Sequence, residues 1–198
     1  VLYATGRAQD YIKRAFKDSI GMPVTQMIYV YNNRIYDPYE EEFKNPENYV
    51  YSENIKIYGR GTVDARGRLM EEQGFLMQTL VAYNCENFIS DGITYCDTNI
   101  WSIIPGCSDN MQFLNLKVLN MLGLHENDAI DVDNCTNVLI SNSIGIALDD
   151  PYSVKTYSGG TELFRSMIDE NRGCENIVFE DCLSWTICYG FKTGQGAG

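Results

Sequence analysis

No stretch of this 198-residue chain approaches the roughly 20 consecutive apolar residues that a membrane-crossing helix needs, so no membrane partner is expected. Histidine is reduced to His125, and the seven cysteines include no CxxC pair. A zinc-type ligand set is therefore missing, and neither a metal nor another cofactor is expected. Basic residues are scarce as well: 15 Lys+Arg against 27 Asp+Glu give a net charge of −12. That sign argues against nucleic acid, whose phosphates need clustered Lys and Arg. It sits awkwardly with a strongly anionic polymer too, unless the few cations concentrate in a cleft. There is no initiator Met and no signal peptide, so Val1 reads as a processed or cut end.

What is present suits one domain over residues 1–198, with 44% apolar residues, 17 Gly and 14 Tyr. Five segments share a template: ENIKIYGRG (53–61), ENFISDGITYC (86–96), DNMQFLNLKVLN (109–120), TNVLISNSIGI (136–146) and ENIVFEDCLSW (175–185). Each is a polar residue, then Asn, then alternating β-formers. Asn tolerates a left-handed turn and can stack from copy to copy. The Asn-to-Asn steps are 33, 23, 27 and 39, as expected of a solenoid whose rungs carry loops of unequal length. A second β run follows each template, at 99–104, 129–133, 151–156 and 189–194. The last two align without a gap, Tyr152 with Tyr189 and Lys155 with Lys192, which predicts Asp133, Lys155 and Lys192 in one outward row. The fold class is thus all-β, a right-handed single-stranded parallel β-helix. The pattern breaks off inside a rung at Gly198, so further C-terminal rungs are expected.

Residues 1–52 are less regular. A short helix is predicted over 9–21, two strands around Asn32–Asn33, and a surface loop over 37–52. Residues 157–173 interrupt the repeat as a loop beside the cleft, with a helical turn at Leu163–Ile168. Cys85, Cys135 and Cys174 stand two residues before a template Asn and Cys107 three before Asn110, which reads as a buried stack of small side chains; a disulfide or reactive thiol is the alternative.

The acids carry the chemistry. Asp128 and Asp150 are 22 residues apart, about one rung, and Asp149 adjoins Asp150. Neighbouring rungs lie about 4.8 Å apart. Carboxylates gathered there oppose folding by repulsion, but they suit glycoside hydrolysis, which needs a carboxylic acid for the leaving oxygen and a carboxylate to activate water. Lys155 and Lys192 supply positive charge for substrate oxygens or for tuning. Asp131 and Asp133 read as exposed strand residues, Asp131 being a candidate substrate contact. Tyr189 and His125 are further candidate contacts. Trp101, Arg60 and Arg66 read as structural.

The motifs, in order, resemble the polygalacturonase family of glycoside hydrolases, pectin-cleaving right-handed parallel β-helices. NIKIYGRGTVDARG (54–67), IWSIIPGCSDN (100–110), NDAIDVDNCTNVLI (127–140) and LDDPYSVKT (148–156) are similar to successive family rungs. The resemblance implies inversion, with Asp149 as general acid and Asp128 and Asp150 activating the water. Tyr189 stands where the family has a catalytic His, and the family's later R-x-K pair has no counterpart before Gly198. The expected substrate is a polysaccharide or oligosaccharide of the pectin or polygalacturonate type. A neutral α-glucan in the manner of dextranases is the alternative. A non-catalytic carbohydrate-binding β-helix and a Ca²⁺-dependent polysaccharide lyase stay open. An extracellular or periplasmic monomer is the expected setting.

Overall fold

The structure is a computed structural model that describes residues 1–12, 16–17, 22–31, 51–124, 126–156 and 172–194. Its strands stack into a parallel β-helix of three sheets. Sheet A joins Leu2–Tyr3, Thr62–Asp64, Thr94–Cys96, Lys117–Leu119, Ile144–Ile146 and Leu183–Trp185. Sheet B runs Phe16–Lys17, Pro23–Val30, Leu76–Tyr83, Ile103–Gly106, Ile130–Asp133, Tyr152–Lys155, Phe191–Thr193. Sheet C is built mainly from Ser52–Glu53, Cys85–Glu86, Asp109–Leu114, Thr136–Ser141 and Glu175–Glu180. The chain visits them in the cycle B, C, A. Every described pairing is parallel except that of Phe16–Lys17 with Pro23–Val24.

Asparagine sets the corners. Asn54, Asn87, Asn110, Asn137 and Asn176 all have φ between 54° and 58°, the left-handed region that Asn enters at little cost. Their side chains bridge rungs: Asn137 Nδ2 donates to Asn110 Oδ1 at 3.1 Å and Asn176 Nδ2 to Asn137 Oδ1 at 2.8 Å. A second corner, unforeseen above, follows five residues later at Gly59, Gly92, Asn115, Asn142 and Asp181, all with positive φ. Asn142 donates to Asn115 there at 2.7 Å, and Asn115 to Asp91 at 2.8 Å. Two left-handed corners five residues apart fix the length of each sheet C segment.

The interior is a stack of like positions, with Leu80, Ile103, Ile130 and Tyr152 from sheet B meeting Met111, Phe113, Val138 and Ile140 from sheet C. Tyr152 stacks on Phe191 with centroids 5.1 Å apart. Gly145 makes room for it, since a Cβ there would lie 2.9 Å from Pro151 Cβ and 3.1 Å from Tyr152 Cζ. This packing anchors the strand that immediately follows Asp149 and Asp150.

Several expectations are corrected. The region predicted as a helix over 9–21 shows, where described, a 3-10 turn at Ala8–Asp10 and a strand at Phe16–Lys17. Leu2–Tyr3 and Pro23–Val30 already pair with the coil, so rungs begin before residue 53. The second strand and turn expected at Asn32–Asn33, most of the 37–52 loop, and the loop with its helical turn over 157–171 lie outside the described residues. The cysteine row holds Cys85, Cys135 and Cys174, but Ser108 takes the place expected for Cys107, and all seven thiols are free. Among the described residues no helix is long and apolar enough to cross a membrane.

Candidate active site

Two successive rungs deliver the acids to one edge of sheet B, and the next brings Cys188 and Tyr189 to the same edge. Asp128 precedes the strand Ile130–Asp133, Asp149 and Asp150 precede Tyr152–Lys155, and Cys188 and Tyr189 precede Phe191–Thr193. Ile130 pairs with Tyr152, a step of 22, so Asp128 and Asp150 occupy equivalent places as the spacing predicted. Tyr152 pairs with Phe191, however, not with Tyr189. The gapless alignment is therefore off by two residues. A slip of two preserves which face each side chain takes, so Lys155 and Lys192 are both outward but in adjacent rows: Lys192 aligns with Ser153, and Lys155 with Asp133.

Asn127 ties the rungs together. Its Oδ1 accepts the Leu148 N–H at 2.8 Å, its Nδ2 donates to Met121 O at 2.6 Å, and its own carbonyl accepts from Asn120 Nδ2 at 2.7 Å. From the next rung, Thr186 Oγ1 lies 3.0 and 2.5 Å from the carbonyl oxygens of Leu148 and Asp149, and accepts the Cys188 N–H at 2.9 Å. Neither Asn127 nor Thr186 was singled out from the sequence. Asn127 had a usable signal, because it directly precedes Asp128; Thr186 had none.

The carboxyls sit in different electrostatic surroundings. Asp150 is buried, yet its Oδ2 lies 2.6 Å from Lys192 Nζ and its Oδ1 accepts the Tyr189 N–H at 3.2 Å. Burial alone would raise its pKa, but the hydrogen bonds from Lys192, Cys188 and Tyr189 and the charge of Lys192 outweigh it and hold the group below the usual carboxylate range. Asp128, 2% exposed, goes the other way. Burial first, and the charge of Asp131 second, push it up to about 9 against the opposing pull of Lys155. The charge of Asp149 adds to this, which places Asp149 in the same electrostatic neighbourhood. Asp149 is half-buried, and its carboxylate, that of Asp150 and the Cys188 Sγ present atoms within 4.8 Å of one another. Cys188 donates its S–H to these carboxylates, and those bonds, with burial, raise its thiol to about 11.

The remaining expected site residues divide. Lys155, read as an exposed contact, is 1% exposed: its Nζ lies 2.5 Å from Asp131 Oδ1 and 3.2 Å from Asp128 Oδ2, with the ring centroid of Trp101 3.2 Å away. Asp131 and Asp133 are likewise buried, not exposed. They do point outward from the strand, on a face where the preceding rungs of sheet B carry Val81, Tyr83 and Ile104 and where Trp101 lies against Lys155. Tyr189 is 63% exposed, with Lys192 Nζ 5.8 Å from its ring centroid. His125 lies outside the described residues.

Burial makes stability pH-dependent. In the unfolded chain Asp128 and Asp133 lose their protons near pH 4, whereas in the fold Asp128 keeps its proton up to about 9 and Asp133, driven by burial, stays well above its usual value. The folded state then binds more protons between these limits, so stability is greatest at the acidic end and declines as pH rises toward 9. Thermal melts from pH 5 to 9 are expected to show a falling Tm, with a shallower fall in Asp128→Asn.

Such an arrangement offers an ionised carboxylate, a protonated carboxyl and a third, more accessible acid along one edge. Comparisons with known proteins agree with that chemistry. The sequence profile of glycosyl hydrolases family 28 matches residues 40–175, well over half of the chain. Among solved structures, a candidate glycosyl hydrolase from Parabacteroides merdae ATCC 43184 superposes with a TM-score of 0.53 at 17% identity, covering 92% of this chain and 86% of that one. No curated protein matches.

Proposed function

The chain belongs to glycosyl hydrolases family 28, and on that premise we propose that this glycoside hydrolase cleaves a pectin-type polysaccharide with inversion at the anomeric carbon. The observation that supports the reading best is the convergence of Asp128, Asp149 and Asp150 from adjacent rungs in unlike environments. Asp149, the most accessible, protonates the glycosidic oxygen. Asp128 and Asp150 flank the attacking water. Of these two, Asp150 takes the proton, because its ion pair with Lys192 keeps it ionised; Asp128 carries a proton and orients the water as a donor. Groups whose environments drive their pKa values apart can divide acid and base work in this way.

Inversion needs roughly 6.5–9.5 Å between acid and base to hold the water. An Asp149 carboxylate oxygen lies within 4.8 Å of one from Asp150 and of the Cys188 Sγ, closer than that. The Asp149 side chain therefore turns off Cys188 toward the substrate as the reaction begins.

One observation favours a second reading, a neutral α-glucan. Both lysines of the site, Lys155 and Lys192, are already paired with aspartates, which leaves neither to grip a uronate carboxylate. A panel of polygalacturonate, methyl-esterified pectin, rhamnogalacturonan and neutral α-glucans, followed by reducing-sugar release and by the anomeric proton signals of the first product, decides. The expected result is new reducing ends from a pectic polymer, appearing as the inverted anomer and without ultraviolet-absorbing unsaturated sugar. Turnover confined to the glucans would replace the pectin reading, and unsaturated products that vanish with chelator would replace hydrolysis by a lyase.

A further inference from the structure

Beneath the acids lies a second polar group that hydrolysis, as just derived, does not use. Lys155 Nζ is ion-paired to Asp131 Oδ1 at 2.5 Å and hydrogen-bonded to Asp128 Oδ2 at 3.2 Å. Ser153, one strand position from Asp131 across the sheet, donates its hydroxyl to the same Asp131 oxygen. Trp101 closes over the ammonium. All of Asp128, Asp131, Asp133, Ser153 and Lys155 are at most 2% exposed. A lysine this deep cannot reach a glycan, and a buried ion pair is costly to keep when an apolar pair of the same shape would be as stable or more so. Its retention calls for a role other than stability.

We infer that Lys155 and Asp131 are positioning residues: through the chain Ser153–Asp131–Lys155–Asp128 they fix the rotamer of Asp128 and the charge it faces, and so set when Asp128 can act on the water. The inference rests on Asp128 taking part in the proposed hydrolysis. Lys155 holds one oxygen of Asp128, and the other, Oδ1, is buried, so the carboxyl has little freedom to turn. The charge count is consistent: one ammonium among three buried carboxyls satisfies one of them, and burial drives protons onto Asp128 and Asp133. The groups that face Lys155 are Asp131 and Asp133 from its neighbouring strand, Asp128 from the turn before that strand, and Lys192 from the strand on the other side, with Asp149 acting on Asp128.

The test compares Asp131→Asn and Lys155→Met with the parent chain, all carrying Trp185→Phe so that Trp101 is the sole tryptophan. Two readouts are taken: kcat and KM on the substrate found by the glycan panel, and Trp101 fluorescence from pH 5 to 10. In the parent an alkaline fluorescence transition near pH 9 is expected, absent from Asp128→Asn. Removing the negative charge of Asp131 moves that transition down in pH, and removing the cation of Lys155 moves it up. Both variants lose about 100-fold in kcat, the scale of a small misplacement of a reacting group, with KM within about threefold because neither touches substrate. Opposite shifts in pH are not produced by a purely structural role. Unchanged kcat and an unmoved transition in folded variants overturn the inference, as does a KM increase at constant kcat for Lys155→Met. Should Lys155→Met fail to fold, Asp131→Asn, which keeps shape and volume, decides by the same criteria. Should the parent hydrolyse nothing, the functional reading has failed, and the fluorescence transition alone tests the coupling: opposite shifts uphold it and their absence ends it.

Discussion

Asp149→Asn is expected to lower kcat by about 10²- to 10⁴-fold, the usual contribution of a positioned general acid. KM should change little, because the amide keeps the shape and can still accept a hydrogen bond. On the proposed assignment the substitution removes the proton that the leaving oxygen needs. Asp149 is half-buried and its carboxylate faces Cys188 and Asp150. The amide keeps the shape of the carboxyl, so the variant should fold as the parent does. Initial rates on the glycan identified by the panel, with binding measured separately by calorimetry, check the expectation. A protein that only binds carbohydrate would show no such separation of turnover from affinity. If Asp149→Asn keeps its rate while Asp128→Asn loses it, the acid is Asp128, whose burial favours the protonated form.

The largest stability effect should come from Arg172, far from the chemistry. Its guanidinium donates to the carbonyls of Asn134 at 2.6 Å and Ser108 at 2.9 Å and to the Tyr51 hydroxyl at 3.2 Å, and it forms a two-pronged ion pair with Asp109. Asn134 Nδ2 returns a bond to the Arg172 carbonyl. One side chain thus laces the corners of three rungs. Arg172→Ala removes a donor from the carbonyls of Asn134 and Ser108, the latter still bonded by the Thr136 N–H at 3.0 Å, and takes the ion-pair partner from the part-buried Asp109 carboxylate. The cost is roughly 3 kcal/mol, the low end of the usual range for a buried pair because both partners keep some contact with water. In a chain of this size that lowers Tm by about 6–12 °C. Arg172→Lys should recover little of it, since an ammonium lacks the planar fork that reaches several acceptors at once. Thermal melts at neutral pH measure both.

The coil was legible because its corners are. Positive φ strongly favours Asn, Asp or Gly, and the template Asn at 54, 87, 110, 137 and 176 announced each corner without any knowledge of contacts. The second set of corners had the same signal, five residues on, and went unread. Strand register was less legible. Alternation fixes only which face a residue takes, so aligning Tyr152 with Tyr189 and with Phe191 satisfied the pattern equally; only the stacking of Tyr152 on Phe191 in the interior decides. The burial of Asp131, Asp133 and Lys155 was illegible for a different reason. Outward positions of a coil ordinarily face water, whereas Lys155 lies under the ring of Trp101, which comes from an earlier rung. No local rule links them.

The two corners that bracket each sheet C segment leave the chain only certain places to change its length. From Leu119 to Ile130 the path from sheet A to sheet B takes ten intervening residues, and from Ile146 to Tyr152 it takes five, yet Asp128 and Asp150 end at matching places. Excess chain is absorbed upstream of the acid, as slack in a rope is taken in before the knot. Grafting or trimming residues 122–124, with Met121 kept as the acceptor for Asn127, should therefore reshape the chain upstream of Asp128 and leave the acids where they stand, which makes that short arc the natural point at which to re-aim this scaffold toward a different sugar.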